Sequence, residues 1–405
     1  MLAFFHRVAP GAIAADLRAT FGASATTLGF IAACYFYPYA AMQLPSGILA
    51  DWIGPRRLFT AGSLVAGIGS LIFAFAPDVG WLLAGRLLVG LGVAVAFISV
   101  LKLIASWYGE HEFSTWVGVL QLLGNFGGMF GAYPLAWAVQ HVSWRSVFVV
   151  TGIVSVVLAA ATWIGVRDSP RHAGLAPIHP EGGGEPAAGQ RGGWLEGLAR
   201  VASNPQTWAG FGMHFGIIGS YLTFSGLWAV PYLTDGLGMS RTDATLHVTS
   251  MILGFAFGSF AVGTLSDRIG QRVPILRSLA LLFLACWAPW VMGWSLPYAA
   301  SIAAFTLMGV GMSGAVLCWA LAKEVNPPAL SGTATSLVNT GGFLGTAILQ
   351  PLVGWIIDLS VAVPALVAYR RAAGLLALVA LGGVIAAFRL RETRGRNVYA
   401  EAQKN

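Results

Sequence analysis

The sequence predicts an all-α polytopic membrane protein of twelve spans arranged as two six-helix bundles. Composition is the first reason: of 405 residues, 57% are hydrophobic and only 10% are charged, more apolar than a soluble domain is. Repeated charge-free runs are the second, because a helix rising about 1.5 Å per residue needs roughly 20 residues to cross about 30 Å of hydrocarbon. The third is an internal repeat. Gly47 to Arg57 reads G-I-L-A-D-W-I-G-P-R-R and returns 216 residues later as G-T-L-S-D-R-I-G-Q-R, Gly263 to Arg272. Both copies read G-x-x-x-D-x-x-G-x-R, and each lies between two apolar runs, as a tight charged connection at a water interface would.

Segment 1, Met1 to Leu17, already contains His6 and Arg7; roughly half a span is missing, which predicts a native start upstream of Met1 or an impaired product. Segment 2 covers Thr27 to Ala50, segment 3 Leu58 to Ala76, segment 4 Trp81 to Ser106, segment 5 Phe113 to Val139 and segment 6 Val147 to Val166, closing a first bundle over 1–166. Residues 167–204, rich in Gly, Pro and charge, read as a cytoplasmic linker. Within it Trp194, Leu195, Leu198 and Val201 have the spacing of a short helix on the membrane surface. Segments 7 to 12 are Thr207 to Leu233, Thr242 to Leu265, Ile275 to Trp294, Pro297 to Ala322, Gly332 to Ile357 and Ala372 to Phe388, a second bundle within 205–390, and a basic tail fills 391–405.

Charge sets the orientation. Arg56 and Arg57, the linker arginines 167, 171, 191 and 200, Arg268, Arg272 and Arg277, and Arg389, Arg391, Arg394 and Arg396 all fall on one side. The opposite loops hold fewer: Arg18, Arg145, Arg241, Arg370 and Arg371. The rich side is expected to be the cytoplasm, with both termini there and the bacterial inner membrane as the location. The net charge of +7 then reports orientation, and no nucleic acid is expected as a partner. Cys34, Cys286 and Cys318 lie in apolar runs, where neither a disulfide framework nor a thiolate metal cluster is expected.

The repeat extends into the helices. Arg86 to Gly92 (R-L-L-V-G-L-G) matches Phe305 to Gly311 (F-T-L-M-G-V-G), and Asn125 to Gly131 (N-F-G-G-M-F-G) matches Asn339 to Gly345 (N-T-G-G-F-L-G), at offsets of 214 to 219 residues. Six spans per half place both halves in the same orientation, a parallel repeat about an axis along the membrane normal. The doubled loop, the R-x-x-x-G-x-G of segment 4 (Arg86, Gly90, Gly92), the 6 + 6 helices and the linker together resemble the major facilitator superfamily over essentially the whole chain. The stretch Y-F-Y-P-Y-A-A-M-Q-L-P-S-G-I-L-A-D resembles its sugar-phosphate-permease-like bacterial branch.

That resemblance implies a transporter whose helices 3, 6, 9 and 12 are peripheral while the others line a central cavity. The interiors of segments 3, 6, 9 and 12 carry no charged residue, His, Asn or Gln, Arg277 belonging to the loop end of the ninth; the other eight carry polar groups, Lys102 and Lys323 only at helix ends. Lipid does not tolerate such groups on an outward face. Arg7 lies near the midplane, as a substrate-anion anchor or as a partner of a carbonyl or aromatic face. His6 points about 100° away from it, as a packing residue or a protonation switch. Tyr35, Tyr39 and Gln43, spaced i, i+4 and i+8, form a polar line. Asn125, Gln121, Asn339, His214, Trp228 and His247 are further cavity candidates, each with a packing role as the alternative. His247 with Met251 makes only an incomplete soft-metal site.

The resemblance also implies that Asp51, Arg56, Asp267, Arg268 and Arg272 form an inner gate between the halves, with Gly47 and Gly263 letting helices approach, Gly54 and Gly270 permitting the turn, and Arg57 beside them. Trp52 stands where the family usually has arginine, which predicts a weaker first latch. In related chains the arginine at Arg86 serves proton coupling or helix packing. No acidic residue lies in a confidently placed interior here, and Ala132 replaces the proline of the family's antiporter signature although Gly127 and Gly131 are present. The expected function is secondary active transport of a small organic solute, an organic anion judging from Arg7, by a monomer without a cofactor, with uniport, symport with a proton or ion, and antiport all open. The alternatives are a transporter-like sensor acting through a partner protein and a copper-type metal transporter. An enzyme is not expected, since no H-x-x-x-H, D-x-x-D or nucleophile constellation is present.

Overall fold

The computed structural model describes residues 1–175 and 194–399; Arg191, the rest of 176–193 and residues 400–405 lie outside them. Segment 1 forms α1 (Leu2–Ala12) and α2 (Ala14–Phe21), segment 2 forms α3 (Ala25–Ala41) and α4 (Pro45–Ile53), and segment 3 forms α5 (Pro55–Ala74). Next come α6 (Val79–Ala94) with α7 (Ala96–Trp107), α8 (Glu110–Phe130) with α9 (Tyr133–Ala138), and α10 (Trp144–Gly165). After α11 (Trp194–Ala202) follow α12 (Pro205–Thr223) with α13 (Ala229–Pro231), α14 (Arg241–Ile269), and α15 (Val273–Ala285) with α16 (Ala288–Met292). The chain ends with α17 (Tyr298–Met312) and α18 (Leu317–Glu324), α19 (Ser331–Leu359) and α20 (Ala365–Phe388). No strand occurs among the described residues.

Local chemistry explains the helix ends. The side chains of Ser24, Asp78, Asn204 and Ser240 accept the amides of Thr27, Trp81, Gln206 and Asp243 and so cap α3, α6, α12 and α14. Pro45, Pro55 and Pro205 occupy first turns, where their missing N–H costs nothing. The second glycine of each repeated loop makes the turn: Gly54 has φ +88° and Gly270 φ +66°, angles that a side chain would strain.

Eight helices among the described residues are long and apolar enough to cross a membrane, and these carry segments 3, 4, 6 and 8 to 12. Segments 1, 2, 5 and 7 do not meet that criterion as single helices; each is an interrupted helix. Segment 1 breaks at Ile13, segment 2 turns at 42–44 before Pro45, and segment 5 breaks before Tyr133 and Pro134. Segment 7 passes through two π-helical turns, Phe224–Trp228 and Tyr232–Gly236, on either side of Pro231. Proline removes a helix donor, and irregular backbone is tolerated at membrane depth only where protein or a cavity surrounds it. The twelfth helix starts seven residues earlier than the hydropathy suggests and takes in Arg370 and Arg371, whose guanidinium groups bond Val291 O and Ser360 Oγ.

In the first bundle α5 packs on α6 and α10, α3 on α6, and α1 on α8; in the second α12 packs on α19 and α20, α14 on α17, and α15 on α17 and α20. The outer face of α10 leaves Val150, Ile153, Val154, Val157, Leu158 and Ile164 exposed, the apolar stripe of a lipid-facing helix. The linker helix α11 packs against α12 and α19, with Val201 buried and Leu195 exposed.

The repeated glycines make matching contacts in the two bundles. A Cβ on Gly90 would fall 2.1 Å from the Tyr35 carbonyl oxygen, and one on Gly309 would fall 2.0 Å from that of Met251. Gly127 and Gly341 meet the carbonyl oxygens of Met1 and Phe211 at 2.0 and 2.4 Å, and Gly131 and Gly345 meet those of Phe5 and Phe215, both at 2.7 Å. Helix axes this close need small residues at the crossing, because lipid supplies no hydrophobic force to hold a looser pair together. Gly90→Val and Gly309→Val should therefore each destabilise the protein by more than about 2 kcal/mol. Gly374→Ala, with open space around it, should be neutral. Thermal unfolding in detergent distinguishes these outcomes, and a wild-type melting temperature for either valine variant would overturn the close-approach account.

Candidate functional site

The centre of the molecule is built on a proline. Pro10 inside α1 cannot donate to the carbonyl of His6, one turn earlier. Arg86 of α6 takes that carbonyl with Nη1 at 2.9 Å, and its Nε donates to Ile31 O at 3.1 Å. The Arg86 guanidinium lies 5.0 Å from the Tyr35 ring centroid, Tyr35 stacks on Tyr39 at 5.8 Å, and Arg7 lies 4.8 Å over Tyr39. Two stacked tyrosines thus lie between two arginines, each cation against an aromatic face. Tyr35 completes its own bonding by donating to Ala3 O at 2.9 Å.

Arg7 is also flanked by Phe4 at 4.5 Å and Phe343 at 5.1 Å, so three rings from α1, α3 and α19 surround one guanidinium. The residue is half-buried, its Nε has no hydrogen-bond partner, and no ion pair to it occurs among the described residues. Aromatic faces hold the plane of a guanidinium but leave its edge donors open. Close by, Asn339 Nδ2 of α19 donates to Oε1 of Gln43, in the turn after α3, at 2.7 Å, and Gln43 Nε2 donates to Tyr39 O at 3.3 Å. Arg7, Tyr35, Tyr39, Gln43 and Asn339 therefore come together where the bundles meet.

The other expected residues are placed apart from that cluster. His6 is buried between Phe5 and Phe148 with both ring nitrogens unpartnered. His214 bonds Ala315 O at 3.0 Å and lies edge-on to Trp319. His247 bonds Asp243 O at 2.7 Å against Tyr298 and Phe305. Trp228 is buried in the first π turn and donates to Gln350 O at 3.1 Å. Asn125 is buried and Gln121 half-buried, neither with a side-chain hydrogen bond among the described residues. No group of three or more potential metal ligands occurs there either. Sequence reasoning passed over Phe4 and Phe343, which had no polarity to mark them, and Gln350, a buried mid-helix amide with both polar atoms unpartnered. Its place inside segment 11 was the available signal.

The two bundles are closed on the side opposite the arginine-rich loops. Gly29 of α3 sits against the backbone of Gln350 and Pro351 in α19, and Gly354 against that of Ala25. Asp358 accepts the Ala25 and Thr26 amides at 3.0 and 2.8 Å, capping α3 from the other bundle. Arg18 pairs with Asp235 at 2.6 Å, Tyr369 donates to the same carboxylate, and Arg241 reaches Asp16 and Ala12 O. Among the described residues, the hydrogen bonds that join the bundles run from this face inward as far as Gln43 and Asn339.

On the arginine-rich side each repeated loop is held within its own bundle. In the first copy Asp51 pairs with Lys102, which also donates to Gly47 O at 3.2 Å; Arg56 binds the Trp163 carbonyl and ring, and Asp168 accepts the Arg56 amide at 2.6 Å. Trp52 is 83% exposed, so Lys102 supplies the cation that this loop lacks in sequence. In the second copy Arg272 Nη2 pairs with Glu324 at 2.8 Å and its Nη1 lies 3.6 Å from Asp267, while Arg268 is exposed. Glu392 accepts the amides of Arg272, Val273, Thr393 and Arg394. Burial alone would raise the Glu392 carboxyl, but those amides outweigh it and hold the group below its usual range. A depressed carboxyl contributes stability that is present above its unfolded pKa and is lost as pH falls through the folded one. Gly47 and Gly263 face open space, with nothing within 4 Å of an added Cβ.

Comparison with known proteins places this architecture. The chain is 25% identical over 375 residues to the "Probable sulfoacetate transporter SauU" of Cupriavidus necator, covering 88% of this chain and 84% of the relative. It is 26% identical to the membrane sensor protein UhpC of Escherichia coli, over 87% and 82% of the two chains. It is 24% identical to a D-galactonate transporter of Escherichia coli, over 88% and 86%. The crystal structure of a D-xylose-proton symporter superposes with a TM-score of 0.72 at 17% identity, over 98% of this chain and 96% of the other. The sequence model of the Major Facilitator Superfamily matches residues 1–230 and 213–404, nearly the whole chain, and the chain belongs to that superfamily.

Proposed function

We propose that the protein is a secondary active transporter of a small organic anion, working by alternating access, with Arg7 as the anion anchor. The observation that carries this reading is the half-buried Arg7, held by three rings at the junction of the bundles with its Nε unpartnered and no carboxylate against it among the described residues. A carboxylate, sulfonate or phosphate matches that edge in charge and geometry. Sulfoacetate and galactonate, in the names of two relatives, are solutes of this class. Gln43, Asn339 and Tyr39 would contact the remainder of the solute, with Gln121, Asn125 and Gln350 further along the cavity walls.

In this reading the moving units are residues 1–166 and 205–390, joined by the linker at 167–204, and the arginine-rich side is the cytoplasmic face of a bacterial inner membrane, both termini included. The conformation described above then corresponds to an inward-open state: the outer face is latched by Arg18, Asp235, Arg241, Asp16 and Asp358, and the bonds of the inner loops among the described residues stay within each bundle. Gly47 and Gly263 then serve the other state, in which the loops approach the opposite bundle. A carboxylate-based proton relay finds no carrier at the central cluster among the described residues, so coupling would rest on the solute or on the buried histidines. The similarity to a membrane sensor keeps solute sensing as the second reading. Measurable binding with no uptake into proteoliposomes would decide for it.

Arg7→Ala should weaken binding of sulfoacetate or galactonate by about 10- to 100-fold, the worth of a charged hydrogen bond, with a melting temperature close to wild type. Arg7→Lys should recover part of the loss. Ligand-induced thermal shift reads both, and unaltered affinity in Arg7→Ala would remove the anion reading.

The gate makes a separate prediction. Asp267→Asn and Gly263→Leu should slow uptake at least about ten-fold, roughly 1.4 kcal/mol on the closing step, while binding changes less than two-fold. Equal losses of binding and uptake would argue against a gate.

A further inference from the structure

On the lipid-facing side of the first bundle, α5 and α10 part near the arginine-rich end and leave a groove of about 440 Å³ that touches neither the central cluster nor the inter-bundle contacts. Its apolar lining is Ala61, Leu64, Val156, Ala160 and Trp163. Both helices are membrane spans, so the aliphatic lining lies at acyl-chain depth and Trp163 at the interface, where tryptophan is favoured. Two polar groups at the upper end are uncommitted. Arg57 lines the mouth, is exposed, and has no ion pair among the described residues; its neighbour Arg56 is bound to Trp163 and Asp168. Thr60, 9% exposed and one turn below, has a buried hydroxyl with no hydrogen-bond partner. A helical threonine ordinarily returns its hydroxyl to a carbonyl of the preceding turn, as Thr249, Thr306 and Thr346 do here. An unbonded hydroxyl in an apolar groove is costly unless something fills it.

From the stacking of an exposed arginine, an orphaned threonine hydroxyl and an alanine-lined channel, we infer that this groove holds one acidic phospholipid. The headgroup phosphate pairs with Arg57, an ester or phosphate oxygen accepts from Thr60, and an acyl chain lies along Ala61, Ala160 and Leu64. Charge complementarity selects the headgroup, since an arginine at the membrane surface favours an anionic lipid over a zwitterionic one. Because Arg57 belongs to the repeated loop, the bound lipid ties that loop to the bilayer on the first bundle; the second copy has Val273 at the matching position and so no arginine pair.

The test is native mass spectrometry of the full-length protein released from detergent with equimolar phosphatidylglycerol and phosphatidylcholine. The wild-type protein should retain phosphatidylglycerol about five-fold over phosphatidylcholine, the ratio expected for one arginine contact of about 1 kcal/mol. Arg57→Gln should bring the ratio to about one, and Ala160→Phe, which fills the channel, should reduce retention of both lipids. Thr60→Val keeps the shape and should lower retention without changing the helix. Water-soluble glycerophosphoglycerol should not compete, which separates a lipid from a free phosphate. Equal retention of the two lipids by the wild type, or an undiminished preference in Arg57→Gln, would overturn the inference. Arg57→Gln is a surface change, so its result stands even where Ala160→Phe fails to fold.

Discussion

Arg86 is a buried cation inside a membrane span with no carboxylate to meet it among the described residues, and much of the first bundle is arranged around that fact. An unsatisfied guanidinium at such depth is expensive. The cost is offset by the His6 carbonyl that Pro10 frees in α1, the Ile31 carbonyl of α3, and the face of Tyr35. One side chain of α6 thereby fixes the positions of α1 and α3. Because Tyr35 stacks on Tyr39 and Tyr39 lies under Arg7, the same arrangement that holds the structural arginine orients the one proposed to meet substrate. The equivalent repeat position in the second bundle is Phe305, which packs among Phe224, His247 and Trp290, so the charge-bearing work falls to one bundle.

Close helix approach and broken helices divide the remaining tasks. Glycines at matching positions bring α3 to α6 and α14 to α17 within backbone contact, giving each bundle a rigid pair. Interrupted helices, α1 with α2, α3 with α4, α8 with α9, and the π-turned α12, are frequent in segments expected to line the cavity, whereas the peripheral segments 3, 6 and 12 are continuous and the ninth breaks between α15 and α16. Regular helix satisfies its own backbone and suits lipid; irregular helix exposes carbonyls and amides and suits a site. Gly29 and Gly354 then let α3 and α19 cross between bundles, and Asp358 reaches over that crossing to cap its partner. The closure on this face is thus made of backbone contacts reinforced by ion pairs, while the arginine-rich loops are secured only within their own bundles.

Much of the fold was legible because hydropathy and glycine spacing are local properties. Helix ends fell within a few residues of the apolar runs, and the doubled G-x-x-x-D-x-x-G-x-R loop marked both turns. The breaks in segments 1, 2, 5 and 7 were less legible, since proline within an apolar run is compatible with either a kink or a stop. In the candidate site, the polar line of Tyr35, Tyr39 and Gln43 was visible at helical spacing, and Arg7 stood out as a charge near the midplane. Phe4 and Phe343 did not, because an aromatic residue in a membrane span looks the same whether it faces lipid or a guanidinium.

Sequence alone determined the membrane class, the two-fold repeat, the charge asymmetry of the loops and the superfamily, since each depends on residue type and spacing along one chain. Tertiary structure alone decided the partners. Lys102 answers Asp51 where Trp52 stands in place of a cation, Glu324 answers Arg272, and Asn339 meets Gln43 across nearly 300 residues of chain. It also decided which face is closed and that Arg7 is framed by rings and not by carboxylates. Those are properties of which helices lie side by side, and in a membrane that choice is made by glycine contacts and freed carbonyls whose counterparts lie far away in sequence.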